Sequence, residues 1–520
     1  MDEELTDALA PRLRDGLLAA GFTYDAAVEA LGAQAHQALS RNETVPGLRT
    51  TTGGSPVETL TRLWLLQADV PEAAVEQALP GLVDGLVGAG ILERHAGQVR
   101  ALLDVRPYAT DAADLWVVSD LTPGLDGRPA RVAADHVLGI SPAATSLAQI
   151  TVRDEVGSAL DLGTGCGVQS LHLAAHAGQV VATDVNRRAL ELTRFNLVLN
   201  DVSGVDVREG SLFEPVAGER FDLVATNPPF VISPALRDGP GGPSSGTRDG
   251  PGGPSSGTRE GRLLYRDSGL PGDLVVERIV REVPGHLRPG GVAQVLANWV
   301  IARDRPWDER LADWISGCDA WAVQREVLDP PAYVELWLKD AGLHPSTGGT
   351  VEDYRRRYNA WLAWFDEQGV EAVGFGWISL RATGAEPVLR LEEWPYEIEQ
   401  PLGEEVAAYF SRSDALRRLS DDDLLAGKLV ARPDLRQETY GAPGAADPEQ
   451  VVLRQQRWMR RARQADTVEA ALVGACDGEL TLAQILDALG RLLETTSDLR
   501  AAYLPVVREL VAEGFLAAPR

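Results

Sequence analysis

Lysine is almost missing from this chain. Lys339 and Lys428 are the only two, so nearly all of the 49 basic residues are arginine. That bias reads as genome composition rather than mechanism. Cysteine is nearly as scarce: Cys166, Cys318 and Cys476 form no metal-binding or disulfide spacing, which points to a reducing, cytoplasmic setting. No apolar run approaches the roughly 20 residues that a membrane-spanning helix needs. The opening residues, MDEEL, lack the basic and apolar regions of a secretion signal. Positive charge is short overall, and the net charge is −27. A surface of that sign repels phosphate backbones, so a nucleic-acid enzyme would need a local basic patch to offset it. The 520 residues are enough for two or three domains.

What is present concentrates in two short stretches. Asp161-Leu162-Gly163-Thr164-Gly165-Cys166-Gly167 follows a short apolar segment, residues 156–160, and precedes a helical pattern over residues 168–177. That context is a strand, a tight glycine turn and a helix start, where a ligand can approach the backbone because glycine has no Cβ. Glycine turns are common, and this one gains weight from its surroundings. A second apolar strand, residues 179–183, ends in Asp184, where an acid can take the two hydroxyls of a ribose. A later strand, residues 221–226, runs directly into Asn227-Pro228-Pro229-Phe230. Two prolines after an asparagine are a costly way to make an ordinary turn, since proline removes a donor and restricts the residue before it.

Together these runs resemble the S-adenosylmethionine-dependent methyltransferases that act on planar amino nitrogens, a family that includes release-factor glutamine, ribosomal-RNA guanine and DNA adenine methyltransferases. The resemblance covers roughly residues 130–300, and the run from Asn227 to Pro234 is most similar to the glutamine-modifying branch. It implies S-adenosylmethionine as cofactor. Backbone around Gly163, Thr164, Gly165 and Gly167 would face its methionine part, Asp161 its ammonium group and Asp184 its ribose. Ser211, followed by Leu212, stands where family members usually carry an acid for the adenine amine. The Asn227 side-chain oxygen and the Pro228 carbonyl would accept the two amino hydrogens, and Phe230 would stack on the planar target. Such a clamp favours a pyramidal nitrogen with its lone pair toward the methyl group, and it needs no titrating base. An NAD enzyme would share the glycine turn and the acid but would not need Asn-Pro-Pro-Phe. A binding module without activity is disfavoured by Asp184 and Asn227 together. The acidic composition and the glutamine-like run point to a protein or peptide amide as methyl acceptor, with a nucleobase or a small molecule as alternatives.

Strand and helix alternate from residue 156 to 300, with a third strand at 205–209, a helix at 273–287 and a strand at 291–299. That alternation predicts an α/β fold with a doubly wound, Rossmann-like sheet. Strands at 320–328 and 370–380, with two helices between them, are expected to finish it as an antiparallel edge, giving a methyltransferase domain over 106–395. Eight of the twelve tryptophans, Trp307 to Trp394, fall in residues 301–395 and read as core. Residues 137–146 should begin a helix with Ser141 as cap and Pro142 in its first turn. In the resembled family that segment lies over the cofactor.

Residues 1–105 read as a helical, winged-helix-like N-terminal domain with helices at 57–67, 71–79 and 81–92 and a ribbon at 98–105. The third of these helices has no basic residue, which favours contact with protein over nucleic acid. Residues 396–520 read as a helical C-terminal domain, winged-helix-like at its end. Its basic cluster, Arg454, Arg457, Arg460, Arg461 and Arg463 beside Trp458, reads as a solvated helix face. Residues 237–247, RDGPGGPSSGT, recur identically at 248–258. That composition builds no core, so a disordered surface insert is expected, tolerated because long loops cost little extra entropy.

Overall fold

Runs such as Val180-Val-Ala-Thr and Leu223-Val-Ala-Thr are apolar on both faces, which suits strands covered by helices on either side. The computed structural model describes residues 3–110, 113–127, 132–234, 263–267, 269–443, 448–494 and 497–517. The repeated insert at 237–258 lies outside the described residues. The chain divides into two compact units, Met1–Ala148 with Glu155–Trp394, and Gln149–Asp154 with Pro395–Arg520.

The first unit holds an eight-stranded sheet. Its strands are β1 (Ala159–Leu162), β2 (Val180–Asp184), β3 (Val205–Glu209), β4 (Phe221–Thr226), β5 (Leu287–Ala302), β6 (Cys318–Leu328), β7 (Val370–Ala382) and β8 (Leu389–Glu393). They lie in the order β8-β6-β7-β5-β4-β1-β2-β3. Strands β1 to β5 pair in parallel, and β7 runs antiparallel between β5 and β6. This is the Rossmann-like sheet expected from the alternation, with two differences at its edge. Only β7 is reversed, since β6 points the same way as β1 to β5, and a further parallel strand, β8, covers β6.

The helices are α1 (Pro142–Ile150), α2 (Val168–Leu173), α3 (Arg187–Leu199), α4 (Leu274–Glu282), α5 (Pro330–Asp340) and α6 (Val351–Glu367). Helix α1 begins as the sequence predicts, with the Ser141 hydroxyl accepting from Ala144 N at 3.1 Å. The two inserted helices between β6 and β7 are α5 and α6. Five of the eight tryptophans, Trp307, Trp314, Trp321, Trp361 and Trp377, are buried. Trp299 stacks on Trp307 at 5.6 Å, and its ring N–H donates to the Gln324 side chain at 2.9 Å.

The strand order reverses between β1 and β4, whose ends are level: Leu162 pairs with Thr226 across one side of β1, and with Thr183 across the other. The glycine turn, Asp184 and Asn227 therefore leave three adjacent strands at the same height. In doubly wound sheets this switch point at the carboxyl ends is where ligands bind.

The N-terminal helices share one core with the sheet's helices: Leu13, Leu17, Phe22 and Trp64 belong to the same buried cluster as Leu171, Leu192 and Phe195. A small sheet of Val70–Pro71, Gln98–Ala101 and Leu92–His95 lies among them. The ribbon expected over 98–105 is instead broken at Leu102. Residues Leu103–Ala109 turn away to pair with Asp114–Asp120, because Leu102 and Leu103 both donate their N–H to Ile91 O. The outer edge of that second ribbon is closed by side chains of α3. Asn196 accepts from Val118 N at 2.8 Å and donates to Val118 O at 2.9 Å, and Asn200 does the same for Trp116, both at 2.8 Å. Two asparagine amides four residues apart thus replace a neighbouring strand.

The second unit is built of helices and strands. Between its helices it carries a three-stranded antiparallel sheet, Leu435–Tyr440, Gln450–Gln455 and Ala462–Ala465. The arginine cluster sits on this sheet and its turn, not on a helix, and acids surround it. Arg454 pairs with Glu438 at 2.6 Å, Arg457 with Glu399 at 3.6 Å and Arg460 with Glu397 at 3.4 Å. Arg463 meets Glu469, Glu509 and Glu513 at 2.5 to 3.5 Å. Strands this polar show no alternation of apolar residues, which is why periodicity does not find them. Among the described residues no helix is long and apolar enough to cross a membrane.

The asparagine clamp has a measurable weight. Asn196 is fully buried and also donates to Cys166 O at 2.8 Å, so Asn196→Ala strands three backbone groups at once. At roughly 1–3 kcal/mol for each buried unsatisfied group, less relaxation, the variant is expected to lose about 3 kcal/mol of stability. Denaturant unfolding followed by fluorescence measures it, and a loss under about 1 kcal/mol would show that the ribbon does not depend on the clamp.

Candidate functional site

The carboxyl ends of β1, β2 and β4 open into a cavity of about 340 Å³. Its wall contains Gly163, Thr164, Gly165, Asp184, Ser211, Leu212, Asn227 and Pro228. Eight of the residues singled out from the sequence are therefore brought to one place. Gly167, Asp161 and Phe230 are not part of the wall.

The glycine turn is left-handed at three points, with φ of +76° at Gly163, +59° at Gly165 and +87° at Gly167. An added Cβ at Gly163 or Gly165 would meet no atom, so these positions need glycine for backbone conformation alone. Gly167 serves packing as well: a Cβ there would stand 3.1 Å from Thr193. The N–H groups of Gly163 and Thr164 both reach Thr183 O at 2.9 Å, which ties the turn to the end of β2.

Asp161 stands behind this turn instead of facing the cavity. One of its oxygens accepts the hydroxyls of Thr164 and Ser170, each at 2.6 Å. It is almost fully buried, and burial pushes its carboxyl up to about 6. The side chain folds into the turn, and the hydrogen bonds it makes there are structural ones. Thr164 likewise gives its hydroxyl to Asp161 and only its backbone to the loop.

Asp184 is set differently. Its two oxygens each take one backbone N–H, from Gly165 at 3.0 Å and Asn186 at 2.8 Å. The carboxylate stands in the cavity wall, where an acid suits two neighbouring hydroxyls. Burial raises its pKa despite those bonds. Beside it Val185 is 52 % exposed, and Leu212 lies in the same wall, so apolar surface is available for a flat ring next to the acid. No acid stands at Ser211, as the sequence shows.

Asn227 follows β4, where the Thr226 hydroxyl donates to Leu162 O at 2.7 Å and locks the two strand ends together. The Asn227 side-chain amide makes no hydrogen bond among the described residues. Phe230 lies just beyond, edge-on to Trp337 at 6.4 Å. Residues 263–267 close this side: Phe230 bridges to Asp267, and Val231 N donates to Arg266 O at 3.1 Å.

The cavity also contains residues that no motif marks. Segment 136–144 forms the wall facing the glycine turn, with His136, Val137, Leu138, Gly139, Ser141 and Ala144. Gln169 crosses from α2 to donate to Ala144 O at 2.7 Å, leaving its side-chain oxygen buried and without a partner. His136 and Tyr265 meet edge-on at 5.8 Å. Residues 137–146 were legible as a helix start, but the contact of His136 with Tyr265 joins positions more than a hundred residues apart. Among the described residues no group of acids, cysteines and histidines could hold a metal ion.

A doubly wound sheet with a glycine turn, a hydroxyl-suited acid and Asn-Pro-Pro at its switch point has the architecture of a Rossmann-like methyltransferase. Comparison with known proteins agrees. Residues 139–238 match the family model described as methyltransferase small domain. Residues 19–102 and 407–518 each match a model described as a domain of unknown function. The chain is 33 % identical over 156 residues to a release factor glutamine methyltransferase of Xylella fastidiosa, covering 29 % of this chain and 48 % of that one. It is 30 % identical over 160 residues to a ribosomal RNA small subunit methyltransferase C of Alcanivorax borkumensis, covering 31 % and 37 %. It is 34 % identical over 135 residues to a ribosomal protein uL3 glutamine methyltransferase of Bradyrhizobium diazoefficiens, covering 25 % and 38 %. The match thus spans less than half the length of each of these relatives.

The remaining wall residue of chemical interest is Cys166, which is inert. Burial pushes its thiol up to about 12, and the same holds for Cys318 and Cys476. At pH 8 such a thiol is about 0.01 % thiolate, so the native protein should react with no thiol reagent within minutes, and with three equivalents once unfolded. Fast reaction in the native state at Cys166, located by peptide mapping, would show that the wall opens.

Proposed function

We propose that this protein is an S-adenosylmethionine-dependent N-methyltransferase whose acceptor is a planar amide nitrogen, of the glutamine type, on a protein or peptide. The observation that carries this reading is the Asn227 amide, without a hydrogen bond among the described residues, standing in one cavity with the glycine turn and Asp184.

The residues present fit the cofactor. Asp184 offers a carboxylate for ribose hydroxyls, Gly163 and Gly165 leave the backbone bare, and Val185 and Leu212 offer an apolar face to a purine. Bound there, S-adenosylmethionine supplies an electrophilic methyl group. The chain's own part is positioning. An amide nitrogen is a poor nucleophile because its lone pair is delocalised. The Asn227 side-chain oxygen and the Pro228 carbonyl accept its two hydrogens, turn the lone pair out of the amide plane and stabilise the positive charge that grows on nitrogen. Phe230 and Trp337 border the acceptor side with aromatic surface.

Three observations favour a protein acceptor over a nucleobase. The net charge is −27. The arginine cluster of the second unit is largely spent on its own acids. Two of the three relatives are named glutamine methyltransferases. A nucleobase is the second reading, favoured by the relative named for ribosomal RNA.

Transfer of tritiated methyl from S-adenosylmethionine into a lysate of the source cells, with the products split by protease and by nuclease, separates the two readings. Label released by protease is expected, and label released only by nuclease would replace the amide with a base. Loss of label on raising salt would point the same way, since phosphate contacts weaken steeply with ionic strength.

Two variants test the site itself. Asp184→Ala is expected to weaken S-adenosylmethionine binding at least tenfold in titration calorimetry, the size of a charge-assisted hydrogen-bond pair. Tight NAD binding by the wild type, with none for S-adenosylmethionine, would end the methyltransferase reading. Asn227→Ala is expected to keep cofactor affinity and lose roughly a hundredfold in turnover, as when one transition-state contact is removed. Wild-type turnover in that variant would show that Asn227 is not the clamp.

A further inference from the structure

His136 is a buried, neutral base in the wall of the cavity, and the clamp chemistry leaves a proton without a destination. The imidazole is 8 % exposed. Its Nδ1 stands 3.6 Å from an oxygen of Asp120, while its Nε2 has no hydrogen-bond partner among the described residues. Asp120 is itself fixed, by Arg188 at 2.5 and 3.2 Å and by Val137 N at 2.8 Å. A fixed carboxylate on the Nδ1 side favours the proton there, so the unpartnered Nε2 carries a free lone pair. Buried polar atoms without partners are few in folded proteins and call for an explanation.

One segment links His136 to the chain that follows Asn227. Residues 263–267 bond to the 134–136 segment through Leu264 N and Ala134 O at 3.0 Å, and to the end of β4 through Val231 and Phe230. Tyr265 in that segment touches the imidazole. The other ionisable groups of the wall are engaged or inert. Asp184 accepts two backbone N–H groups, Arg278 pairs with Glu282 at 2.7 Å, Tyr265 gives its hydroxyl to Asp340 at 2.9 Å, and Cys166 is held as a thiol.

We propose that His136 is the proton acceptor of this site, its free Nε2 taking the proton that the acceptor nitrogen loses as it gains a methyl group. The proposal rests on the methyltransferase reading above. The nitrogen lone pair forms the N–C bond, and the electron pair of the C–S bond stays on sulfur. The methylated nitrogen is then a cation with two hydrogens. Asn227 and Pro228 offer carbonyl oxygens, far too weakly basic to keep either one. One proton passes to Nε2, giving an imidazolium opposite Asp120, and leaves to water with the product.

Charge around the ring fits this role. Asp120, Asp340 and Asp135 favour the imidazolium, while burial and Arg188 oppose it, and the balance lowers the pKa of His136 below the ordinary histidine value. The base is therefore free at neutral pH, and turnover should fall only as pH drops through that lowered value.

The test is methyl transfer into the lysate at saturating S-adenosylmethionine, measured across pH for the wild type, His136→Gln and His136→Ala, with calorimetry of S-adenosylmethionine on each. Cofactor affinity within twofold of wild type is expected for both variants. Turnover should fall about a hundredfold, the acid limb should vanish, and free imidazole should restore part of the His136→Ala rate. His136→Gln with wild-type turnover and an unchanged limb overturns the proposal. So does a loss of cofactor affinity that accounts for the lost rate. A wild type that neither binds S-adenosylmethionine nor transfers label overturns both this proposal and the reading beneath it.

Discussion

Asp161, the last residue but one of β1, carries a carboxylate that water does not reach, held by the hydroxyls of Thr164 and Ser170. The shape of the cavity depends on that contact. Holding a tight turn with three left-handed glycines costs backbone entropy, and Thr164 and Ser170 anchor it through Asp161. Burying a carboxylate is itself unfavourable, as its pKa near 6 records. The two hydroxyls offset part of that cost, and what they secure is a loop whose backbone can face a ligand without a side chain in the way. The residue that reads as a ligand contact in the sequence is thus the one that makes the contacts of its neighbours possible.

From this turn the constraint spreads outward through α3. Gly167 packs on Thr193, the Thr193 hydroxyl holds Gly165 O at 2.9 Å, and Asn196 holds Cys166 O. The same asparagine, with Asn200, closes the edge of the ribbon Leu103–Ala109 and Asp114–Asp120. That ribbon ends in Asp120, the partner of His136 and Arg188. One helix therefore fixes the glycine turn with one set of side chains and the opposite wall with another. The N-terminal segment is joined to the site by this route, through packing and side-chain amides.

The parts legible in the sequence share a physical property: they are local. Alternation of apolar strands and helices, glycines in a turn, an acid at a strand end and Asn-Pro-Pro all act within a few residues, and β1 to β5 lie where those patterns put them. The parts that were not legible depend on distant partners. Strand β8 is five residues, Leu-Arg-Leu-Glu-Glu, and forms only because β6 presents an open edge. The sheet of the second unit pairs through its backbone and rests on the core by Leu453 and Ala465, two positions too few to give a periodic signal. Asp161 could face the ligand or the turn with the same neighbours in sequence, and only the position of Ser170 on α2 decides it. His136 and Gln169 have no motif, and their importance appears when the unpartnered atoms of the cavity wall are found.

Electrostatics then separate the two jobs of the molecule. The surface is acidic, while the groups that line the cavity are mostly neutral or already paired. On the proposed reading such a cavity suits a cationic sulfonium beside an uncharged amide, with Asp184, the acid of its described wall, at the cofactor end. Methyl transfer would then move positive charge away from Asp184 and toward Asn227 and His136. A carboxylate in contact with the acceptor nitrogen would bind a protonated amine, which has no lone pair to offer. The neutral carbonyls of Asn227 and Pro228 would instead favour the uncharged nitrogen and stabilise it as charge arrives, while Asp120, Asp135 and Asp340 stand around His136, where the proposed imidazolium forms.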